Sequence, residues 1–155
     1  MSNKSTKLTL GQYVRRRNGV PMGASGSLKN MLKRSFSARS PRVFWQYWNP
    51  IFGYYLGTYI FIPLKKILPS YLALLLTFMC NGLIHDLIIL LFGGSLAGIF
   101  TIWFFFLGIG VIVTDALDVD LSSKPRGIRI FLNVVYLLIC LVITIILQQK
   151  LNLYF

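Results

Sequence analysis

The chain contains a single histidine, His85, which lies inside a long apolar stretch. Ionisable side chains at membrane depth are rare and usually functional. Asn81 lies four residues earlier and therefore shares a helix face with His85, and Gly82 leaves space there for a neighbouring helix or a substrate. A positioned neutral imidazole is the commonest general base, so we expect His85 to accept a proton. The alternative is a structural histidine that hydrogen-bonds across a helix interface.

Asp86, the residue after His85, is not expected to orient the imidazole. Successive residues of a helix are separated by about 100° around its axis, so the two side chains leave the helix in different directions. The carboxylate of Asp86 could instead pair with a basic residue or face a polar cavity.

An aromatic cluster precedes the histidine helix. Residues 44–48 read Phe-Trp-Gln-Tyr-Trp, and Asn49 and Pro50 follow them. Trp and Tyr side chains prefer the membrane–water interface, so Trp45 and Trp48 are expected to be belt residues, with stacking on a substrate as the alternative. Asn before Pro commonly starts a turn, and its amide can serve the backbone alone. Local reasoning does not connect Asn49 with His85.

Together the two segments resemble the signature region of the membrane-bound O-acyltransferase (MBOAT) family, most closely its wax synthase and sterol acyltransferase branch. The matching letters are FWQYWN at residues 44–49 and NGLIHDL at residues 81–87. The resemblance implies that an acyl group passes from a thioester donor, such as acyl-CoA, to a hydroxyl in a membrane-buried tunnel, without a further cofactor. It makes His85 the general base and Asn49 the residue that positions the reacting groups. The candidate substrate-binding residues around this pair are Trp45, Trp48, Asn81 and Gly82.

Members of that family are usually considerably longer than this chain. A second copy of the chain or another membrane protein is therefore expected to help enclose the two substrates. The main alternative function is a non-catalytic subunit of the same fold that binds lipid or stabilises a partner enzyme. A third interpretation, a helper for translocation of lipids or polyprenyl-linked sugars, has no supporting motif.

The composition is that of a helical membrane protein. The 155 residues are 55% hydrophobic and include only four acidic residues. The apolar runs 71–92, 95–114 and 128–147 are each about 20 residues long, enough for a helix to cross a hydrocarbon core of about 30 Å. The sequence therefore predicts an all-α membrane protein with three to four transmembrane helices. The expected spans are residues 70–92, 95–116 and 127–149.

The first apolar stretch, residues 44–64, is expected to be re-entrant or interfacial. Pro50 and Pro63 interrupt it, and its many aromatic rings favour the interface. If it does not span, every Lys and Arg except Lys150 falls on one side of the membrane, as the positive-inside bias favours. We therefore predict a helical membrane domain over residues 44–155, a cytoplasmic N-terminus and a place in the plasma membrane.

Residues 1–43 form a basic arm with ten positive charges and no acidic residue. Its expected partner is an anionic lipid leaflet rather than nucleic acid, because each basic residue near such a surface contributes about 1 kcal/mol. Glycines and Pro21 predict an irregular segment up to Ser27. Ser27 is expected to cap an interfacial helix over residues 28–36, with a disordered basic tail as the alternative.

No metal site is expected. Asp115, Asp118 and Asp120 lie close together in sequence but lack the glycine and the terminal glutamate of a calcium loop, so a solvated loop is the better interpretation. Cys80 and Cys140 lie in apolar runs without paired spacing, and we expect both to be small packing residues.

Overall fold

Three apolar helices, each long enough to cross a membrane, form the centre of the molecule. The computed structural model describes residues 8–94 and 98–150. Within these ranges all regular structure is helical, which confirms the predicted all-α membrane fold. The elements are α1 (Leu10–Asn18), α2 (Ser27–Phe36), α3 (Pro41–Tyr47), α4 (Pro50–Leu56), a π turn (Gly57–Phe61), α5 (Ile62–Leu64), α6 (Ser70–Leu91), α7 (Ile99–Ala116) and α8 (Arg126–Lys150).

The spanning helices α6, α7 and α8 lie close to their predicted bounds. The expected start of the second span at Ser95 lies outside the described residues, and α7 begins at Ile99 after Gly98, whose φ is +64°. Large apolar side chains such as Phe131 (65% exposed) and Leu138 (52% exposed) point outward from α8. Outward apolar faces of this kind are typical of helices surrounded by lipid.

Glycines bring α6 and α7 into close contact. A Cβ atom on Gly82 would stand 2.6 Å from the Cα atom of Thr101, and one on Gly108 would stand 3.2 Å from the Cβ atom of Phe78. Small residues at such positions allow two helix backbones to approach each other. The space beside Gly82 is therefore filled by the first turns of α7, which fixes the histidine-bearing end of α6.

Helix α8 is attached to α7 through aromatic hydrogen bonds. The Tyr136 hydroxyl donates to the carbonyl of Leu107 at 2.6 Å, and Trp103 Nε1 donates to the carbonyl of Leu137 at 3.2 Å. Buried tyrosine and tryptophan side chains usually find such partners. The buried apolar core between the three spans consists of Phe78, Phe104, Leu107, Val111 and Cys140.

Residues 50–64 form one helical run that is too short to span. The run is about 22 Å long, compared with a hydrocarbon core of about 30 Å, which agrees with a non-spanning segment. The predicted interruption at Pro50 is confirmed, because α3 ends at Tyr47 and α4 begins at Pro50. The predicted interruption near Pro63 takes the form of the π turn, after which the helix continues through Pro63. A widened turn relieves the clash between a proline ring and the preceding turn of a regular helix.

The N-terminal arm is more regular than the sequence predicted. The expected irregular segment up to Ser27 is wrong, because Leu10–Asn18 is a helix. Thr9 Oγ1 accepts from the Gln12 N–H at 3.4 Å, and Gln12 Oε1 accepts from the Thr9 N–H at 2.9 Å. This reciprocal capping box is the sequence signal that reveals the helix.

The helix predicted over residues 28–36 of the arm is confirmed as α2, but its predicted cap is wrong. Helix α2 begins at Ser27 itself, and Gly26, with φ of +78°, occupies the cap position. The Ser27 hydroxyl instead accepts from Asn18 Nδ2 at 2.6 Å, which joins α1 to α2. Asn133 of α8 donates to the carbonyl of Phe36 at 3.0 Å. The arm is therefore tied to the spanning helices.

Candidate active site

A cavity of 510 Å³ lies between the short helices and the spanning pair α6 and α7. Its volume is within the range of about 300–1,000 Å³ that small-molecule sites occupy. It brings together Asn49 and His85, which no local sequence feature connects. Gly82 lies outside the cavity wall, against α7. The other predicted site residues that line the cavity are Trp45, Trp48 and Asn81.

Aromatic rings surround the His85 imidazole. Its centre lies 5.6 Å from that of Phe104, with a 25° angle between the rings, and 5.5 Å from that of Phe100. The Phe52 ring of α4 lies 6.4 Å away. No hydrogen bond to a described residue occupies either nitrogen, and the alternative of a bond across a helix interface is not seen there. Ring contacts thus orient the imidazole and leave its nitrogens for a substrate.

The carboxylate of Asp86 on α6 binds the N-terminal end of α7 and clamps the two helices together. Its carboxylate accepts from the N–H groups of Phe100 at 3.0 Å and Thr101 at 2.8 Å, and from the Thr101 hydroxyl at 2.6 Å. The first N–H groups of a helix have no partner within it, and a negative charge there is stabilising. Asp86 thus meets a helix terminus rather than a basic residue or a polar cavity. Because Phe100 also contacts His85, this clamp helps to position the imidazole.

Asn49 forms the junction between α3 and α4. Its φ of +39° lies in the left-handed region, which asparagine adopts more readily than most residues. Its Oδ1 accepts from the Phe52 N–H at 3.2 Å and caps α4, so the expected turn role is confirmed. The cap occupies the oxygen and leaves the Nδ2 hydrogens for a further acceptor at the cavity wall.

Two tryptophans connect the cavity wall to the core. Trp45 packs edge-on against Phe78 with 5.2 Å between the ring centres, and its Nε1 donates to the Tyr136 hydroxyl at 3.1 Å. Trp48 stacks on Phe44 at 5.6 Å. Both indoles also line the cavity, where a substrate could contact their free faces.

The side-chain oxygen of Asn81 has no partner among the described residues, although it is buried. Leaving a buried acceptor without a hydrogen bond costs about 1–3 kcal/mol, so such atoms usually have partners. Asn81 lines the cavity one helical turn before His85. A hydrogen-bond donor on a bound substrate would satisfy its oxygen.

The arm and α3 add a polar wall that the sequence did not reveal. Arg17 Nη1 donates to Gln46 Oε1 at 2.6 Å, and both residues line the cavity together with Arg42. Arg42 forms a hydrogen bond and an ion pair with Asp115, and that hydrogen bond raises the pKa of the Arg42 guanidinium. These arginines belong to the basic run that was assigned to lipid. Only the packing of α1 on α4 brings Arg17 to the site, and no short motif signals such packing.

The acidic loop has local partners. Asp120 accepts from the N–H and hydroxyl of Ser122, which lower the pKa of the carboxyl, and it faces Arg39 at 3.6 Å. Within residues 8–94 and 98–150 no group of three potential metal ligands occurs.

A family model described as MBOAT, membrane-bound O-acyltransferase family, matches residues 24–148. The matched range extends from just before α2 nearly to the end of α8, and it includes Asn49 and His85. The chain belongs to the membrane-bound O-acyltransferase family. No curated protein and no solved structure matches it.

Membership of the membrane-bound O-acyltransferase family confirms the resemblance that the two short motifs indicated. It suggests membrane-bound acyltransferase activity, and together with the three long apolar helices it identifies a membrane protein. Tyr13 and Arg17 precede the matched range, so the part of the cavity wall that α1 supplies lies outside the family match.

Proposed function

We propose that this chain moves an acyl group from a thioester donor, such as an acyl-CoA, to a hydroxyl acceptor in the cavity. The observation that carries the proposal is the meeting of His85 and Asn49 at one cavity, in a chain of an acyltransferase family. His85 supplies a base with free nitrogens, and Asn49 supplies a donor held by its own helix cap. No cofactor is required for this reaction beyond the thioester substrate itself.

In the proposed reaction His85 takes the proton from the acceptor hydroxyl while the hydroxyl oxygen attacks the thioester carbonyl carbon. A carbon–oxygen bond forms and the carbon–sulfur bond breaks. The proton then passes from the imidazolium to the departing thiolate, so that the products are an ester and a thiol. General-base assistance of this kind contributes about 10²–10⁴-fold to a rate.

The two asparagines have complementary roles in this proposal. The Nδ2 hydrogens of Asn49 donate to the thioester carbonyl oxygen, on which negative charge develops as the hydroxyl attacks. The unpartnered oxygen of Asn81 accepts a hydrogen bond from the acceptor substrate and holds it next to His85. Both interactions position reacting groups, which lowers the barrier by reducing the freedom lost at the transition state.

The apolar lining protects the reaction. Rings and aliphatic groups surround the imidazole and continue to Leu74 and Phe61 on the cavity wall. Such a lining suits a fatty acyl chain and keeps out water that would hydrolyse the thioester. Trp45 and Trp48 would then stack along the substrate, while Gly82 keeps the α6–α7 pair close behind it.

The arm fits a membrane-surface role in the same proposal. On α2, Leu28 is 66% exposed, and Lys29 and Lys33 are exposed on the same short helix. Apolar and basic side chains together suit a helix that lies on an anionic leaflet. We infer that the protein lies in the plasma membrane and that its N-terminus is on the cytoplasmic side. We also infer a second copy or another membrane protein that helps to enclose the substrates.

A non-catalytic subunit is the second candidate function. It is favoured by the fact that packing alone accounts for two key residues: Asn49 caps α4, and His85 stacks on Phe104. A lipid-binding or partner-stabilising subunit would need these contacts but no free base. The two candidates differ in whether the imidazole nitrogens are necessary.

A His85→Gln substitution tests the catalytic role. Cells that express the chain or its variant are compared by mass spectrometry of their lipids and envelope glycans. We expect an acyl ester that depends on the chain to fall about 10²–10⁴-fold with His85→Gln. Cys80→Ala, on the same helix and outside the cavity wall, is the control and should leave the ester unchanged. Full ester formation by a well-inserted His85→Gln protein would exclude the proposed enzymatic function.

A further inference from the structure

Two walls face each other across the cavity. Helices α6 and α7 form the His85 wall, and helices α1, α3 and α4 form the Asn49 wall. Near the reacting groups, aromatic rings join the walls: the centre of the Trp45 ring lies 5.2 Å from that of Phe78 and 5.5 Å from that of Phe104. Ring pairs of this kind are stable in several relative geometries. They hold the walls together without fixing one spacing between them.

Tyr136 of α8 adds a directional link between the two walls. Its hydroxyl accepts from Trp45 Nε1 at 3.1 Å and donates to the carbonyl of Leu107 on α7 at 2.6 Å. Leu107 lies three residues after Phe104, whose ring stacks on that of His85. A tyrosine hydroxyl has one hydrogen, and the Leu107 carbonyl takes it, so the hydroxyl oxygen is left to accept from the indole. One hydroxyl group therefore joins α3 to the part of α7 that orients the imidazole.

The ring of Tyr136 is held against the backbone of α7. A Cβ atom on Gly110 would stand 2.5 Å from Cε2 of the tyrosine ring, so the missing side chain of this glycine makes room for the ring. Close approach beside a small residue is typical of packed membrane helices. The ring also packs on the buried core between the three spans. Helix α7 therefore sets the position of the tyrosine hydroxyl, and the hydroxyl sets the position of the indole.

Helix α8 holds the same part of the chain at a second place. Asn133 lies three residues before Tyr136, on the same face of α8, and it is buried. Its Nδ2 donates to the carbonyl of Phe36 at 3.0 Å and to that of Ala38 at 2.9 Å. These carbonyls lie just before α3 begins. Because α3 ends two residues before Asn49, the placement of α3 decides where that amide lies.

We propose that Tyr136 is a positioning residue: by holding the indole of α3 against α7, it sets the separation of Asn49 from His85. This inference rests on the proposed acyl transfer and deepens it. Among the described residues Tyr136 does not line the cavity, so it acts through Trp45 rather than on a substrate. Spacing is important in such a site, because a misplacement of about 1 Å can lower a rate about 10²-fold.

Tyr136→Phe is the test variant, because it removes one oxygen atom and keeps the ring. The measurement is steady-state ester formation by the purified full chain in liposomes, with palmitoyl-CoA and hexadecanol as the probes. We expect kcat to fall about tenfold or more, while KM for palmitoyl-CoA stays within about twofold. The reason is that the residues that line the cavity are all retained and only their alignment at the transition state is lost.

Thr144→Val is the matched control for this measurement. It removes a buried hydroxyl from the same helix, one that donates to the carbonyl of Cys140 within α8 itself and links no walls. It should leave kcat unchanged. An equal loss of kcat in Thr144→Val and Tyr136→Phe would reduce the tyrosine to a structural role, and an unchanged kcat in Tyr136→Phe would also overturn the proposal.

A second readout requires no turnover. The chain has three tryptophans, so ¹⁵N-tryptophan labelling should give three indole N–H signals in NMR spectra of the full chain in detergent micelles. In Tyr136→Phe we expect the Trp45 signal to change, because its Nε1 loses an acceptor. The Trp48 signal should change as well, because its ring stacks on Phe44 of the same wall. Thr144→Val should change neither signal.

The pattern of these signals decides between a local bond and a wall that moves. Trp45→Phe and Trp48→Phe assign the two signals. A change confined to Trp45 would show that the hydroxyl acts only on its own partner, and the positioning role of Tyr136 would then be wrong.

His85→Gln keeps this inference separate from the proposed function. If His85→Gln still forms ester, the proposed reaction fails, and the NMR signals alone decide whether Tyr136 sets the spacing of the walls. If His85→Gln is inactive while Tyr136→Phe keeps its kcat and its indole signals, only the positioning role fails.

Discussion

The wall that carries His85 is fixed by backbone contacts, whereas the wall that carries Asn49 is fixed by side chains. On α6 and α7, Gly82 brings the two helices together and Asp86 bonds to backbone N–H groups. On α1, α3 and α4, the contacts are caps, ring pairs and the hydrogen bond between Arg17 and Gln46. The first kind of wall holds a base in one place. The second kind can be adapted to a substrate by exchanging single side chains.

The largest expected loss of stability follows from Gly82→Ala. The new Cβ would stand 2.6 Å from the Thr101 Cα atom, a backbone atom that moves only if α7 moves. Such overpacking commonly costs about 1–3 kcal/mol. The measurement is thermal unfolding in detergent. Gly127→Ala on α8 is the matched control: nothing lies within 4 Å of its Cβ position, so that variant should be neutral or slightly stabilised.

If Gly82→Ala and Gly127→Ala unfold at the same temperature, the backbone contact does not hold the first wall. If Gly82→Ala unfolds earlier and also loses ester formation, the contact positions His85 as well as stabilising the helix pair.

A smaller loss is expected from Asp86→Asn. The amide keeps one acceptor oxygen, but it loses the charge and one of the bonds to α7. A hydrogen bond to a charged group is worth about 1.5–3 kcal/mol, and part of this is retained. The unfolding temperature of Asp86→Asn should lie between that of the native chain and that of Asp86→Ala. Asp120→Ala, at an exposed carboxylate in the loop, should change little and serves as the control. Equal unfolding temperatures for Asp86→Ala and Asp120→Ala would show that the clamp is unimportant.

The smallest change in stability, with a large change in activity, is expected from Asn49→Asp. Aspartate caps a helix about as well as asparagine, so α4 should be preserved. The substitution removes the Nδ2 donors, and loss of a donor to a developing oxyanion lowers a rate by about 10²–10³-fold. The paired measurements are thermal unfolding and ester formation. Asn49→Gly is the control: glycine removes the side-chain amide but adopts the φ of +39° without strain. Full activity in Asn49→Asp would reduce Asn49 to its capping role.

The two walls also differ in how far the sequence predicts them. The length of the apolar runs was sufficient to predict the three spans, and the four-residue spacing was sufficient to predict the shared face of Asn81 and His85. The clamp at Asp86 could not be predicted, because its partners are backbone N–H groups that appear only when α7 begins beside it. The position of Asp86 directly after His85 instead suggested that its carboxylate pairs with a basic residue or faces a polar cavity.

The positions of Arg17 and Arg42 show the same limit on the other wall. The sequence placed Arg17 and Arg42 in a basic run, for which a lipid surface is a sufficient explanation. Their position at the cavity depends on ring packing between α1 and α4, which leaves no short-range signal. The capping box at Thr9 and Gln12 could have revealed α1 itself, but not the surface on which it packs.

The most direct test of the central claim is a double-substitution measurement of ester formation by the purified chain. His85→Gln, Asn49→Asp and the double variant are compared with the native chain, using an acyl-CoA and a hydroxyl acceptor in liposomes. Residues that act as a unit in one transition state are strongly non-additive, so the double variant should be about as slow as the slower single variant. Two rate losses that simply multiply would contradict a shared site, and a fully active His85→Gln protein would contradict catalysis by His85.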